Sequence, residues 1–181
     1  MLRNVERIQV TGLRETKEQD RSCRLQIVLV EPRIPPNTGN IARLCAALRM
    51  PLHLVGELGF QLTDRYLKRA GLDYWEYVEV HVHPDIEEFF STRPAKTLHF
   101  FSKASPRSYL EASYREGDCL VFGSETTGLP DQLREKYPER FVSIPMFDSR
   151  VRSLNLANAV AVAAYEAFRQ TGALSRFART K

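Results

Sequence analysis

Short apolar segments that alternate with helical segments are the feature of this sequence that most constrains its fold. Apolar, β-branched runs lie at 25–30, 52–55, 77–82, 97–101, 119–122 and 141–144. Helices are predicted between them at about 38–49, 63–70, 84–91 and 130–136, and a last helix runs from near 154 to about 170. Uninterrupted apolar runs of this length are typical of strands buried on both faces of a parallel sheet. The order therefore predicts an α/β fold, with a parallel sheet flanked by helices.

The 181 residues suffice for one well-packed domain but not for two ordinary ones. We expect a charged N-terminal extension at 1–24, the folded domain at 25–170 and a basic tail at 171–181. After Glu166 the chain carries only basic charges, at Arg169, Arg176, Arg179 and Lys181. A net charge of +4 with such a tail is compatible with a phosphate-rich partner, and equally with a solvated terminus.

Several classes of protein are disfavoured by the sequence. No stretch of 18 uninterrupted apolar residues is present, so we expect no membrane span. The first residues lack a secretory leader, and the three isolated cysteines have no CxxC spacing, which together predict reduced thiols in a cytoplasmic protein. His81 and His83 lack a third ligand nearby, so we expect no metal site.

The segment 31–43, EPRIPPNTGNIAR, is the first of three that carry more polar chemistry than a turn needs. Asn37 or Thr38 is predicted to cap the following helix, after prolines that keep the chain out of the helical region. Arg43 would then lie about one turn into that helix. A cation there opposes the helix dipole, which indicates a compensating anion or acid.

The segments 121–130 and 144–158 follow the last two predicted strands. The first, VFGSETTGLP, could wrap a small ligand with its backbone, but it matches neither a P-loop nor a GxGxxG fingerprint. In the second, Ser153 is predicted to cap the last helix. Asn155 would then fall in the first helical turn, where asparagine is unfavourable. That position indicates contact with a ligand or with a partner subunit.

The last predicted helix is apolar on almost every side between Ala157 and Ala167. A helix without a polar face must be covered nearly all round. One sheet in a small domain cannot provide that cover, although a central helix of a monomer remains an alternative. We therefore expect a homodimer.

Four stretches, in this order, resemble the signature motifs of the SPOUT superfamily of RNA 2′-O-methyltransferases. They are IVLVEPRIPPNTGNIARLCA, LKRAGLDYWEY at 67–77, FGSETTGLP at 122–130, and IPM followed by RSLNLANAVAVAAYEA at 152–167. The similarity covers nearly all of 25–170. The second stretch favours the branch of the superfamily that methylates the wobble nucleotide, position 34, of leucine tRNAs at C or U, over its ribosomal-RNA relatives.

The resemblance implies a SPOUT-type parallel sheet with a C-terminal trefoil knot, whose loops bind S-adenosylmethionine. Carried over by position, the residues around that cofactor are Phe100, Phe101, Ser102, Gly123, Ser124, Glu125, Ile144, Met146, Ser153 and Leu154.

The implied reaction is methyl transfer to a ribose 2′-hydroxyl of tRNA. The resemblance assigns Arg43 to that hydroxyl, with Glu125, Ser153 and Asn155 around it. Arginine is ordinarily protonated, so Arg43 could accept the proton of the 2′-hydroxyl only in an unusual environment. The alternative is that an RNA phosphate takes this proton while Arg43 stabilises the alkoxide. Arg43, Arg152 and Tyr165 are the expected RNA contacts. Alternatives are methylation at another tRNA or rRNA position, and an RNA-binding protein of this fold without catalysis.

Overall fold

A six-stranded parallel sheet forms the centre of the computed structural model, which describes residues 24–62 and 74–178. The strands lie in the order β3-β2-β1-β5-β4-β6, and all neighbouring strands pair in parallel. They are β1 (Gln26–Val30), β2 (Leu52–Val55), β3 (Val80–His83), β4 (Leu98–Phe101), β5 (Cys119–Phe122) and β6 (Phe141–Val142). The α/β fold with a parallel sheet is confirmed, while the trefoil knot stays a prediction.

The helices of the described residues flank this sheet. They are α1 (Pro35–Leu48), α2 (Ile86–Ser91), α3 (Asp131–Lys136), α4 (Leu156–Gln170) and α5 (Ala173–Ala178). The helix predicted at 63–70 lies outside the described residues. No described helix is long and apolar enough to cross a membrane.

Successive strand residues point to opposite sides of the sheet, and both sides are buried under helices. On one face, Ile27 and Leu29 pack in a cluster with Ile41 of α1 and Val160 of α4. On the other face, strand residues pack in a second cluster with α2 and α3. Cys45 and Cys119, expected to be reduced thiols, are free cysteines buried in the core.

Two strands differ from their predicted bounds by more than one residue. The first residue of the predicted run at 77–82 is the last residue of a 3₁₀ turn, Trp75–Tyr77. The strand β3 therefore starts only at Val80. The run at 141–144 is a strand only over Phe141–Val142, after which Ser143 makes an isolated bridge to Ser108. Apolar runs predict where a strand passes through the core, but they do not fix where its hydrogen bonding stops.

The predicted tail contains a structured part. Helix α5 lies within 171–181, and its residues Ala173 and Leu174 pack against the core. Residues 1–23 of the predicted extension lie outside the described residues. The domain boundaries at 24 and 170 stay a prediction.

The sheet topology places the loops that follow β1 and β5 side by side. From β1 the chain passes through α1 to β2 on one side, whereas from β5 it passes through α3 towards β6 on the other. The strand order therefore reverses between the neighbours β1 and β5. In open α/β sheets the crevice at such a reversal, outside the carboxyl ends of the strands, is where ligands bind.

Three histidines cover the β2–β3 edge of the sheet. His53 of β2 stacks on His81 with ring centroids 4.8 Å apart, and its Nδ1 lies 3.0 Å from Nε2 of His83. Nε2 of His53 is buried and has no hydrogen-bond partner. Burial, with the positive charges of His81 and Arg93 if protonated, lowers the pKa of His53 to about 2. Burial likewise lowers the pKa of His83 to about 4.

We predict that acidification destabilises the protein through His53. The unfolded state takes up this proton near pH 6.5 and the folded state only near pH 2. Within that window the unfolded state binds more protons. The free energy of unfolding therefore decreases as the pH is lowered, by up to about 1.4 kcal/mol per pH unit for this one group. Urea unfolding of wild type and His53→Leu between about pH 7.5 and about pH 5 measures the effect. Equal pH dependence in the two proteins would contradict it.

Candidate functional site

Three loops at the carboxyl ends of the strands form the candidate site. They are the β1 loop (31–34), the β5 loop (123–130) and the β6 loop (143–155). Their centre is the carboxylate of Glu125. It accepts hydrogen bonds from the N–H of Arg33 at 2.9 Å and of Ile34 at 3.3 Å, and from Nδ2 of Asn37 at 3.0 Å.

Glu125 takes the place of a local cap at the start of α1. The N-cap residue Ile34 has no side-chain cap, and the helix starts with two prolines that lack an N–H. The predictions that prolines exclude Pro35 from the helix and that Asn37 or Thr38 caps it were therefore wrong. A negative charge beside a helix N-terminus is favourable, and bonds to it contribute about 1.5–3 kcal/mol each. The β5 loop thus fixes the start of α1.

Asn37 also bonds the β6 loop, and so links Glu125 to that loop. Its Oδ1 accepts a hydrogen bond from Nδ2 of Asn155 at 2.9 Å. The side chain of Asn155 in turn accepts from the N–H groups of Ala157 and Asn158, which makes Asn155 the N-cap of α4. Ser153 as the cap and Asn155 inside the first turn were therefore wrong predictions. As a cap, Asn155 occupies a position that asparagine favours.

The β5 loop closes tightly on itself. The N–H of Ser124 donates to the carbonyl of Gly128 at 3.1 Å, and the N–H of Gly128 donates back to Ser124 at 2.9 Å. A Cβ on Gly123 would lie 2.1 Å from the carbonyl carbon of Gly128. Only glycine therefore fits at 123, in the tight loop that carries Glu125.

Arg43 lies deeper in α1 than predicted. It is about two turns from Pro35, where the helix dipole no longer acts, so the dipole argument for an anion was wrong. Instead its guanidinium lies over the ring of Tyr74, 4.7 Å from the centroid. Arg43 is exposed, and Tyr74 is 38% exposed. The pair places a cation and an aromatic face together at the surface.

The predicted cofactor residues differ in how they reach this edge. Phe100 is completely buried in the second core cluster, so only its backbone can meet a ligand. Phe101 stacks on Phe122 at 4.5 Å. Ser102 is partly buried, and its Oγ accepts from Nη2 of Arg134 at 2.8 Å.

The remaining predicted residues lie in the β6 loop and on α4. Ile144 and Met146 are half-buried, whereas Ser153 and Leu154 are exposed. Arg152 is exposed, and its carbonyl accepts from Nζ of Lys103 at 3.2 Å. Tyr165 is 49% exposed on α4. Ile144, Met146 and Leu154 thus offer apolar side chains in the loop that ends at Asn155.

Asn37 and Arg134 were missed as site residues by the sequence prediction. Asn37 was considered only as a cap, and its place between the β5 and β6 loops is a long-range property. Arg134 gave no signal, because an arginine near the end of a short helix is ordinary. Within 24–62 and 74–178, no group of His, Cys, Asp or Glu side chains could hold a metal ion.

Comparisons with known proteins agree in the family that they indicate. The SpoU rRNA Methylase family matches residues 24–165. A Burkholderia cenocepacia relative named tRNA (cytidine(34)-2′-O)-methyltransferase is 48% identical over 81% of this chain and 95% of its own. A solved structure described as giving structural insights into the 2-OH methylation of C/U34 on tRNA is 47% identical, with a TM-score of 0.75 over 82% of this chain and 97% of its own.

A further solved structure shows a relative with its cofactor. It is the SpoU methyltransferase AviRb from Streptomyces viridochromogenes in complex with AdoMet, 26% identical to this chain. The TM-score is 0.71 over 86% of this chain and 62% of that one.

We predict that Glu125→Gln destabilises the fold. The substituted amide would place an NH₂ group among three donors and remove the charge at the start of α1, at a cost of about 1–3 kcal/mol. Urea unfolding measures the loss, with the exposed Glu135→Gln of α3 as the matched control. A Glu125→Gln protein as stable as that control would contradict the assigned role.

Proposed function

This chain belongs to the SpoU rRNA Methylase family, and we propose that it methylates the ribose 2′-hydroxyl of nucleotide 34 of tRNA. The observation that carries the proposal is the similarity, over 81% of the chain, to a tRNA (cytidine(34)-2′-O)-methyltransferase. S-adenosylmethionine is the methyl donor, as in the AdoMet-bound SpoU relative. The nucleotide is C or U, in leucine tRNAs.

The side chains at the site suit such a donor. The half-buried Ile144 and Met146 and the exposed Leu154 offer apolar surface for an adenine ring. The tightly closed β5 loop brings the backbone at Gly123 and Ser124 to the same strand ends. We propose that the cofactor is held by these loops, through Phe100, Phe101, Ser102, Gly123, Ser124, Glu125, Ile144, Met146, Ser153 and Leu154.

Glu125 and Asn155 act in this proposal by positioning. Both oxygens of Glu125 already accept N–H donors, and Asn155 is used as a cap and as a donor to Asn37. A carboxylate so occupied is a poor proton acceptor for a substrate. The two residues therefore fix the positions of the β1, β5 and β6 loops relative to one another. Ser153, two residues before Asn155, is positioned at the site through this cap.

Because Glu125 and Asn155 act by positioning, Arg43 is the side chain that we assign to contact the 2′-hydroxyl. S-adenosylmethionine supplies a methyl group on a positively charged sulfur, and the 2′-oxygen must lose its proton as it takes that methyl group. Contact with an aromatic face stabilises the guanidinium as a cation. A cation stabilises the developing negative charge on oxygen, while a phosphate oxygen of the RNA accepts the proton.

Transfer of labelled methyl groups to total bacterial tRNA tests the function. We expect label at the 2′-oxygen of nucleotide 34 in leucine tRNAs. Label at another nucleotide would refute the substrate, and no label would refute the activity.

We predict that Arg43→Ala lowers kcat by about 100- to 1,000-fold, because the charge on the 2′-oxygen then lacks its stabiliser. Arg43→Lys should recover part of the loss, since it keeps the charge but not the planar shape. The exposed Arg115→Ala is the control for a general loss of positive charge. An Arg43→Ala enzyme with wild-type kcat would remove Arg43 from the mechanism.

A homodimer completes the proposal. One side of α4 is buried in the core at Val160, Ala163 and Ala164, but Val162 and Tyr165, one turn apart, are 40% and 49% exposed. We propose that a second copy covers Val162. Tyr165 and Arg152 would then lie at the rim, where RNA can reach them.

We predict a light-scattering mass near twice 20.8 kDa at micromolar concentration. Val162→Glu should reduce it to that of one chain, because a charge would be buried against the partner. Leu110→Glu, at a 55% exposed position outside α4, is the control. A wild-type mass of one chain would exclude the dimer.

A further inference from the structure

The middle of the β6 loop carries an aromatic ring with no cover. Phe147 is fully exposed, with a relative accessibility of 103%, the highest among the large hydrophobic side chains of the described residues. Val151, four residues later, is 50% exposed. Water-exposed aromatic rings forgo a large stabilisation by burial, so a ring held fully outside the fold suits an external partner.

The ring is presented by an ordered turn. Asp148 accepts hydrogen bonds from the backbone N–H of Arg150 at 2.9 Å and from its guanidinium at 2.6 and 2.9 Å. The N–H of Val151 donates to the carbonyl of Asp148 at 3.1 Å. These bonds close the chain directly after Phe147 and fix the direction in which the loop projects.

Both ends of the loop are anchored to the site. At the start, the N–H of Ser143 donates to the carbonyl of Arg107 at 2.8 Å. At the end, Lys103 bonds the carbonyl of Arg152, and Asn155 bonds Asn37. Phe147 thus projects from a loop whose far end belongs to the same network as Glu125.

We propose that Phe147 stacks on an unpaired nucleobase of the RNA substrate. The proposal rests on the proposed function, because nucleotide 34 lies in the single-stranded anticodon loop of tRNA. Proteins that bind unpaired bases use exposed aromatic faces for the bases and arginines for the phosphates. The Phe147 turn supplies the aromatic face, and the exposed Arg152 that follows it supplies an arginine, whereas the guanidinium of Arg150 is bonded to Asp148.

The composition of the turn favours RNA over a second copy of the chain as the occupant. Of the six residues 147–152, three are charged and the net charge is +1. The centres of protein interfaces are depleted of charged residues, whereas a polyanion requires positive ones. Lys103, bonded to the carbonyl of Arg152, adds another positive charge at the same place.

Binding to a synthetic anticodon stem-loop of a leucine tRNA tests the stack. Phe147→Ala should raise the Kd for the stem-loop, and the KM for full-length leucine tRNA, by about tenfold. The kcat at saturating tRNA and the Kd for S-adenosylmethionine should be unchanged. Phe147→Trp should restore binding, and its added fluorescence should be quenched by the stem-loop beyond any change of Trp75 in wild type. Leu110→Ala, which removes another exposed apolar side chain, is the matched control.

An unchanged Kd and KM in Phe147→Ala would overturn the proposal. So would a lower light-scattering mass for that variant, which would assign the ring to a second copy. If wild type methylates a nucleotide other than 34, the proposed function fails, yet the stack is still measured by repeating the binding assay with the RNA hairpin that carries the methylated nucleotide.

Discussion

The carboxylate of Glu125, bonded to the first turn of α1, is the interaction on which the site depends. Glu125 lies 92 residues from Arg33 in sequence. Its carboxylate accepts the N–H groups of Arg33 and Ile34, because the side chains of Ile34 and the following prolines offer no acceptor. Because Asn37 is bonded at the same time to Glu125 and to Asn155, the starts of α1 and α4 are set by one chain of hydrogen bonds. Loosening any member would shift three loops together, because a half-satisfied polar network costs more than the loss of one bond.

This network divides the work among the polar residues. Glu125, Asn37 and Asn155 use their hydrogen-bonding groups on the protein itself, so in the proposed mechanism they fix the geometry of the loops. Arg43 differs from them, since it lies on the exposed side of α1 and contacts the face of Tyr74. In the proposed mechanism, the groups that build the site are therefore separate from Arg43, the group assigned to the RNA, which lies on the surface.

The sequence predicted the sheet well because burial acts locally. Runs such as 52–55 and 119–122 match β2 and β5 in full, since a strand buried on both faces must be apolar along its length. The start of α1 was predicted poorly because the group that accepts the N–H of its N-cap residue Ile34 is Glu125 of the β5 loop, which is remote in sequence. The cap of α4 is local, but Asn155 takes that position rather than Ser153 and also bonds Asn37, which lies 118 residues away. Likewise, nothing near Arg43 in sequence indicates that Tyr74 lies against it.

The same anchoring would let the proposed RNA contact at Phe147 change without moving the Glu125 network. The β6 loop is held at Ser143 and at Asn155, and between them by the packing of Ile144 against the core, the local turn at Asp148 and the bond from Lys103. A change between the anchors, in length or in the residue at 147, alters what the loop offers to a nucleotide. It leaves the cap of α4 and the Glu125 network in place. A bulky aromatic residue at 147 is therefore tolerated by the fold, and its exposure is a property of the loop's middle, where substrate preference can change without cost to the folded core.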